Sequence, residues 1–157
     1  MPIRIVAVGK LGAPWQEAAK EYEKRLGRYD RIEVLELGDL KEPVSAHAAL
    51  IEEHKRREGE LILKRLGPQE HIIALCPGPR QLSSEAFADR LQAIRNGGKS
   101  PCFVIGGSMG LSPEVIQRAD EHLSLSELTF PHQLARVVLL EQLYRAFKIL
   151  GGERYHK

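Results

Sequence analysis

Short apolar segments rich in β-branched residues alternate with helix-like segments along the 157 residues of the chain. Four of these segments are almost continuously apolar and a fifth is weaker: IRIVAVG, IEVLEL, HIIAL, PCFVIGG and HLSLSEL. Apolar runs without polar alternation are typical of strands buried on both faces, as in parallel sheets. The alternation with helices therefore predicts a single α/β domain over residues 1–157, with a mostly parallel sheet flanked by helices.

Composition and charge fit a globular protein but do not identify its ligand. Hydrophobic residues make up 43% of the chain and charged residues 28%, and the formal net charge is +2. Residues 132–157 contain five Lys or Arg and two Glu, so this end carries a net charge of +3 while the rest is close to neutral. Bulk charge therefore does not indicate a nucleic-acid binder, and only this local excess favours one.

The two cysteines argue against a metal site, and the N-terminal segment argues against a secreted or membrane protein. Cys76 and Cys102 are far apart, form no CxxC pair and lie beside apolar runs, so we expect buried thiols and no metal site. The opening MPIRIVAVGK contains no apolar stretch long enough for a signal peptide or a membrane span. We therefore expect a cytoplasmic protein.

The last predicted helix, His132 to Leu150, is apolar around most of its circumference. Its polar positions form a narrow strip of Glu141, Arg145 and Lys148. Such a helix either lies deep inside the monomer or packs on its own sheet and on a partner as well. In a domain of this size we favour the second arrangement, and a homodimer is its commonest form.

A glycine-rich segment, VIGGSMGLSPE, follows the fourth strand and precedes a short helix. In open α/β sheets ligands bind at the carboxyl ends of strands, where glycines let the backbone approach them closely. The glycines Gly106, Gly107 and Gly110 fit this role, but a tight strand-to-helix turn has the same requirement. Both interpretations stay open, because the spacing is not that of a dinucleotide-binding motif.

The segment from Leu125 to Phe130 connects the fifth strand to the last helix, and Pro131 is expected to fix the start of that helix. Leu128 and Phe130 are large apolar residues for a loop. They suit the walls of a pocket for a flat aromatic ligand such as adenine. A simple turn explains the segment equally well.

Most of the histidines are explained by their positions in the fold, without a catalytic role. We expect His47 and His54 to be solvated on a charged helix, and His132 lies where a helix starts. His156 stands in the terminal sequence GGERYHK, where its neighbours suggest chemistry, although a frayed end explains a terminal histidine as well.

Several motifs together resemble the RlmH type of SPOUT methyltransferase. They are the opening IRIVAVGK, then FVIGGSMGLSPEV, LSLSELTFPHQLARVVLLEQLYRAFKI and the terminal YHK. The resemblance spans essentially the whole chain. It implies an α/β fold with a C-terminal trefoil knot, a homodimer, and S-adenosylmethionine as methyl donor. The implied reaction is methylation of N3 of a pseudouridine in helix 69 of 23S rRNA, on the assembled ribosome.

The resemblance also places the contacts to the cofactor. They fall on Leu75 after the third strand, on Gly106, and on the connector residues Leu125, Ser126, Glu127, Leu128, Thr129 and Phe130. The chain departs from the family at Cys76, where relatives often have an acidic residue, and any role of that acid is in doubt here.

Catalysis of this reaction requires removal of a proton from a weakly acidic imide, assisted by a base or by positive charge. We expect His156 to be the base near neutral pH. Tyr155 is expected to stack on the nucleobase, and Arg154 and Arg145 to hold phosphate or stabilise the imide anion.

Two other functions remain open from the sequence. One is a SPOUT methyltransferase that acts on another RNA, such as tRNA, for which an appended RNA-binding domain is expected and none is found in these residues. The other is a non-catalytic ribosome-associated factor with the same fold. The glycine-rich segment and the terminal motif argue against this second function.

Overall fold

A computed structural model describes residues 2–38 and 40–155, in which five parallel strands form one sheet. The strands are β1 (Ile3–Val8), β2 (Ile32–Leu37), β3 (Glu70–Leu75), β4 (Ser100–Ile105) and β5 (Glu121–Leu123). Their order in the sheet is β2-β1-β4-β3-β5, and every neighbouring pair is parallel. The prediction of an α/β fold with a mostly parallel sheet is confirmed.

Within the described part of the chain, five helices follow the strands in alternation and cover both faces of the sheet. They are α1 (Ala13–Leu26), α2 (Ala48–Leu63), α3 (Ser84–Asn96), α4 (Pro113–Arg118) and α5 (His132–Leu150). Helices α1, α3 and α5 pack on one face, and α2 and α4 pack on the other. Because Phe103 points to the first face and Val104 to the second, and both are fully buried, β4 is apolar without alternation.

The fifth strand is shorter than its sequence predicts. The alternation in HLSLSEL could extend a strand to residue 128, into the segment also expected to be the connector from Leu125, but β5 ends at Leu123. The reason is that the next amide leaves the sheet: Ser124 N donates to Arg80 O at 2.9 Å, in the loop that follows β3.

Serine side chains cap the starts of two helices. Ser83 Oγ accepts a hydrogen bond from Ala86 N at the start of α3, and Ser112 Oγ accepts one from Val115 N at the start of α4. Pro131 directly precedes α5 in an extended conformation. These contacts set the direction in which each helix leaves the carboxyl edge of the sheet.

Helix α5 runs antiparallel to the strands, between α1 and α3. At its start Gln133 Oε1 accepts a hydrogen bond from Gly12 N at 2.6 Å, and near its end Phe147 stacks on Tyr29 with ring centres 5.5 Å apart. Much of the apolar surface of α5 is therefore buried within one chain. A half-buried stripe remains, apolar in the first half of the helix (Leu134, Val137) and charged in the second.

No helix within residues 2–38 and 40–155 is long and apolar enough to cross a membrane. Over the same residues no cluster of His, Cys, Asp and Glu is large enough to hold a metal ion. Both cysteines are free thiols. Cys102 is fully buried, and burial raises its pKa to about 12, so it stays protonated at neutral pH.

Candidate functional site

Three strand ends lie level at the carboxyl edge of the sheet. Leu75 at the end of β3 is paired in register with Ile105 on one side and with Leu123 on the other. Three connectors therefore start side by side: residues 76–83, the glycine turn of residues 106–110, and the C-terminal connector of residues 124–131. This is the edge where α/β sheets bind ligands.

The glycine turn is tightly closed by its own backbone. Gly110 has a φ of +84° and donates from N to Gly107 O at 3.0 Å. A Cβ atom on Gly106 would lie 2.9 Å from Gly110 C and 3.0 Å from Leu111 Cδ2. Gly106 is therefore required by the turn itself, because any side chain there would force the backbone apart.

A buried ionisable pair on α2 lies behind the glycine turn. His54 Nε2 is 3.0 Å from Glu58 Oε2, and both side chains are buried. The Glu58 carboxylate also faces the turn, since a Cβ on Gly107 would lie 3.2 Å from it. The prediction that His54 is solvated is wrong: the residue lies on the sheet-facing side of α2, paired one turn away with Glu58.

A cavity of about 240 Å³ opens between the C-terminal connector, α3 and α5. Its walls are mostly apolar, with Leu82 and Phe87 on the α3 side, Leu125 and Phe130 from the connector, and Val138 from α5. Mostly apolar walls with a few polar groups are typical of sites for small aromatic ligands.

The connector residues expected to contact the cofactor fall into two groups. Leu125 and Phe130 line the cavity, and Ser126 Oγ accepts a hydrogen bond from Leu128 N at 3.0 Å within the connector. The tip of the connector is exposed; its residues are Glu127, Leu128 and Thr129. Leu75 and Gly106 lie at the adjoining strand ends, outside the cavity lining.

The tail of residues 151–155 reverses direction after α5. Gly152 has a φ of +67°, and Glu153 N donates to Lys148 O at 2.9 Å. The reversal brings the Tyr155 ring to 4.9 Å from the Tyr144 ring and places the Arg145 guanidinium 4.8 Å above it. Of the other expected catalytic residues, Arg154 is exposed and His156 lies outside the described residues.

Glu141 connects this tail to the cavity. Its carboxylate accepts hydrogen bonds from Arg145 Nη2 at 2.6 Å, Gln142 Nε2 at 2.7 Å and Tyr155 Oη at 3.4 Å. Gln142 lines the cavity and its Oε1 accepts a bond from Ser84 Oγ at 2.7 Å. Sequence reasoning missed Glu141, although its spacing of four residues from Arg145 is the signal of a helical ion pair.

The environment of Tyr155 keeps its phenol protonated. Burial raises the pKa of Tyr155, and the neighbouring Glu141 carboxylate raises it further. The hydroxyl is therefore a hydrogen-bond donor at neutral pH and not a base.

Cys76 occupies the first position after β3, where the resemblance noted in the sequence led us to expect an acidic residue. Its amide donates to Leu123 O at 3.1 Å, which fixes it between two connectors. Burial raises the pKa of the Cys76 thiol, so this position carries no negative charge at neutral pH.

A parallel sheet with a mostly apolar cavity at the carboxyl ends of its strands is the arrangement typical of ligand-binding α/β proteins. A family model described as predicted SPOUT methyltransferase matches residues 1–156. The chain therefore belongs to the SPOUT methyltransferase family, whose members generally use S-adenosylmethionine as methyl donor. The membership supports methyltransferase activity and leaves the target open.

Solved structures show the same fold. The chain is similar to a probable methylase family protein from Haemophilus influenzae Rd KW20, with a TM-score of 0.58 and 17% identity, covering 99% of this chain and 70% of that one. It is also similar to a probable methyltransferase from Bordetella pertussis Tohama I, with a TM-score of 0.55 and 12% identity, covering 92% of this chain and 93% of that one.

Proposed function

We propose that this protein is a homodimeric enzyme that methylates N3 of a pseudouridine in helix 69 of 23S rRNA, on the assembled ribosome in the cytoplasm, with S-adenosylmethionine as donor. The main support for the proposal is a series of hydrogen bonds that runs from Tyr155 through Glu141 to Gln142. It joins an aromatic and cationic tail to the wall of a cavity that suits a flat aromatic ligand.

The residues around the cavity fit the adenosine part of the proposed cofactor. Apolar side chains such as Phe87 and Phe130 offer faces for an aromatic ring, while Ser84 and Gln142 supply polar atoms at the rim. The backbone of the adjoining glycine turn is free of side chains at Gly106 and Gly107. When bound, S-adenosylmethionine supplies a methyl group activated on a sulfonium.

The protein itself contributes mainly orientation and charge. Holding the acceptor nitrogen in line with a methyl donor removes roughly 7–11 kcal/mol of barrier. We assign Tyr155 to contact the nucleobase, with its ring held by Arg145 and its hydroxyl donating to Glu141. We assign His156 to accept the N3 proton, and Arg154, which is exposed, to bind phosphate.

The proposed dimer uses the half-buried stripe of α5. Leu134 and Val137 give this stripe an apolar first half, which a second copy would cover. Glu141 and Arg145 continue the same stripe, so the interface would lie beside the tail. The trefoil knot implied by the resemblance stays a prediction.

Labelled S-adenosylmethionine tests the proposed reaction. Ribosomes, free 23S rRNA and tRNA, all from cells that lack this modification, are incubated separately with the protein and the labelled donor. We expect label in the large-subunit RNA of assembled ribosomes and little in the other two substrates.

The same assay separates the two alternatives. Label in tRNA alone would replace the proposal with a tRNA methyltransferase. Tight binding to ribosomes with no label in any RNA would identify a non-catalytic ribosome-associated factor.

A further inference from the structure

Glu121, in the short strand β5, is a buried carboxylate with three cationic or polar partners. Its side chain is 8% exposed. It accepts hydrogen bonds from Arg80 Nη2 at 2.7 Å and Arg90 Nε at 2.9 Å, and His71 Nε2 lies 2.5 Å from its second oxygen. One side chain thus joins three separate segments of the chain.

Two of these segments form one wall of the cavity. Arg80 belongs to the connector of residues 76–83 and Arg90 to α3, and between them stand the wall residues Leu82, Ser84 and Phe87. Glu121 is therefore bonded to two arginines, one before and one after these wall residues in the chain.

The opposite wall begins two residues after Glu121. Leu123, Ser124 and Leu125 line the cavity there. The two walls are also bonded directly, because Ser124 N donates to Arg80 O at 2.9 Å. Arg80 is thus bonded twice: its guanidinium donates to Glu121 and its carbonyl accepts from Ser124.

The cluster is charged under physiological conditions. Burial by itself would raise the pKa of Glu121, but the bonds from Arg90 and His71 outweigh it and lower the pKa below its usual value. The carboxylate is therefore ionised at neutral pH and makes charge-assisted bonds with both guanidinium groups, which are stronger than neutral ones.

We propose that Glu121 is a positioning residue for the cofactor, which sets the width of the cavity by holding residues 76–83 against the start of the C-terminal connector through Arg80. This inference rests on the proposed function, since it assigns the cavity to the methyl donor. Glu121 itself does not line that cavity and acts through the walls.

A second buried glutamate, at the amino ends of the strands of the same sheet, offers a matched control for Glu121. Glu70 at the start of β3 is also a buried glutamate, with a side chain 9% exposed, and it is paired with Arg4 Nη1 at 2.5 Å. Glu70 and Glu121 thus have the same residue type, similar burial and an arginine partner, but only Glu121 is bonded to a wall of the cavity.

The test compares Glu121→Gln with Glu70→Gln in the full chain. Three quantities are measured: the free energy of unfolding in urea, the Kd for S-adenosylmethionine by calorimetry, and hydrogen exchange of the Ser124 amide without ligand. We expect both variants to lose stability. Only Glu121→Gln should weaken binding, by about tenfold or more, and accelerate exchange at Ser124.

If Glu121→Gln fails to fold, Arg80→Gln replaces it, because the Arg80 side chain is 49% exposed and its loss leaves the bond from Arg90 intact. Unchanged Kd and unchanged Ser124 exchange in a folded variant would overturn the inference and leave the proposed function standing. Equal loss of affinity in Glu70→Gln would also overturn it. Wild-type protein that binds no S-adenosylmethionine would overturn the proposed function and this inference together.

Discussion

The guanidinium of Arg136 in α5 donates from Nη2 to Glu36 Oε2 at 2.7 Å and thereby fixes the first turns of α5 to the end of β2. Arg136 is only 4% exposed, while the side chain of Glu36 is 38% exposed. The other terminal nitrogen, Nη1, is buried and has no hydrogen-bond partner among residues 2–38 and 40–155. The buried cation is hydrogen-bonded to the Glu36 carboxylate, and the half-buried Glu23 carboxylate also attracts it electrostatically.

We predict that Glu36→Ala is more destabilising than Arg136→Met. Removal of the Glu36 carboxylate takes away the hydrogen-bonded partner of a buried charge and leaves only the Glu23 carboxylate near it, whereas Arg136→Met removes the charge and keeps much of the side-chain volume. The expected cost of Glu36→Ala is about 1–3 kcal/mol, below the range for fully buried pairs because Glu36 is partly solvated. Urea unfolding measures both variants, and a larger loss in Arg136→Met would contradict the prediction.

Gly106→Ala is predicted to disturb the glycine turn and weaken cofactor binding. The added Cβ would meet backbone atoms of Gly110 at 2.9 Å, which cannot move without opening the turn. We expect a loss of about 1–3 kcal/mol in stability, as in overpacked sites, and a clear rise in the Kd for S-adenosylmethionine. Gly78→Ala is the control, because a Cβ there would lie more than 4 Å from every described residue other than its two chain neighbours. Equal Kd values for S-adenosylmethionine in the two variants would mean that the cofactor does not depend on this turn.

Substitutions of Tyr155 are predicted to lower the rate of methylation more than they weaken cofactor binding. Tyr155→Phe keeps the ring beneath Arg145 and loses only the hydroxyl, so it should retain more activity than Tyr155→Ala. Because the pKa of Tyr155 is raised, the phenol stays protonated between pH 7 and 9, and the Phe variant should show a similar loss across this range. An activity ratio that changes steeply with pH would instead identify Tyr155 as the titrating base.

Val137→Asp is predicted to weaken the dimer without unfolding the chain. Val137 is half-buried on the α5 stripe, so a charge there is tolerated in a monomer but not in a covered apolar interface. Leu140→Arg is the contrasting variant, since Leu140 is fully buried within the chain and its replacement should unfold it. Sedimentation velocity at micromolar concentration is the measurement. Monomeric wild-type protein would contradict the proposed dimer.

The sequence predicted those parts of the fold that depend on local pattern. Strands such as β1 and β4 were evident because burial on both faces makes them continuously apolar. The end of β5 was not, because alternating residues continue beyond Leu123 and only the tertiary bond from Ser124 to Arg80 ends the strand.

The parts of the site that join distant segments were not predictable in this way. The partners of Glu121 lie 31, 41 and 50 residues away in the chain, and no local pattern brings them together. The burial of His54 depended similarly on how α2 lies on the sheet. Local pattern did single out the C-terminal connector by its large apolar side chains: Phe130 lines the cavity as expected, whereas Leu128 is 75% exposed and lies outside the lining.

Mass spectrometry of helix 69 shows directly whether this protein methylates a pseudouridine there. Ribosomes lacking the modification are incubated with S-adenosylmethionine and either the full chain or a variant without residues 154–157, and the fragment of 23S rRNA that contains helix 69 is analysed. We expect the full chain to add the mass of one methyl group at a pseudouridine, blocking its Watson–Crick face. The truncated chain should bind the cofactor and add almost none. An unmodified helix 69 fragment after incubation with the full, cofactor-binding chain would contradict the account.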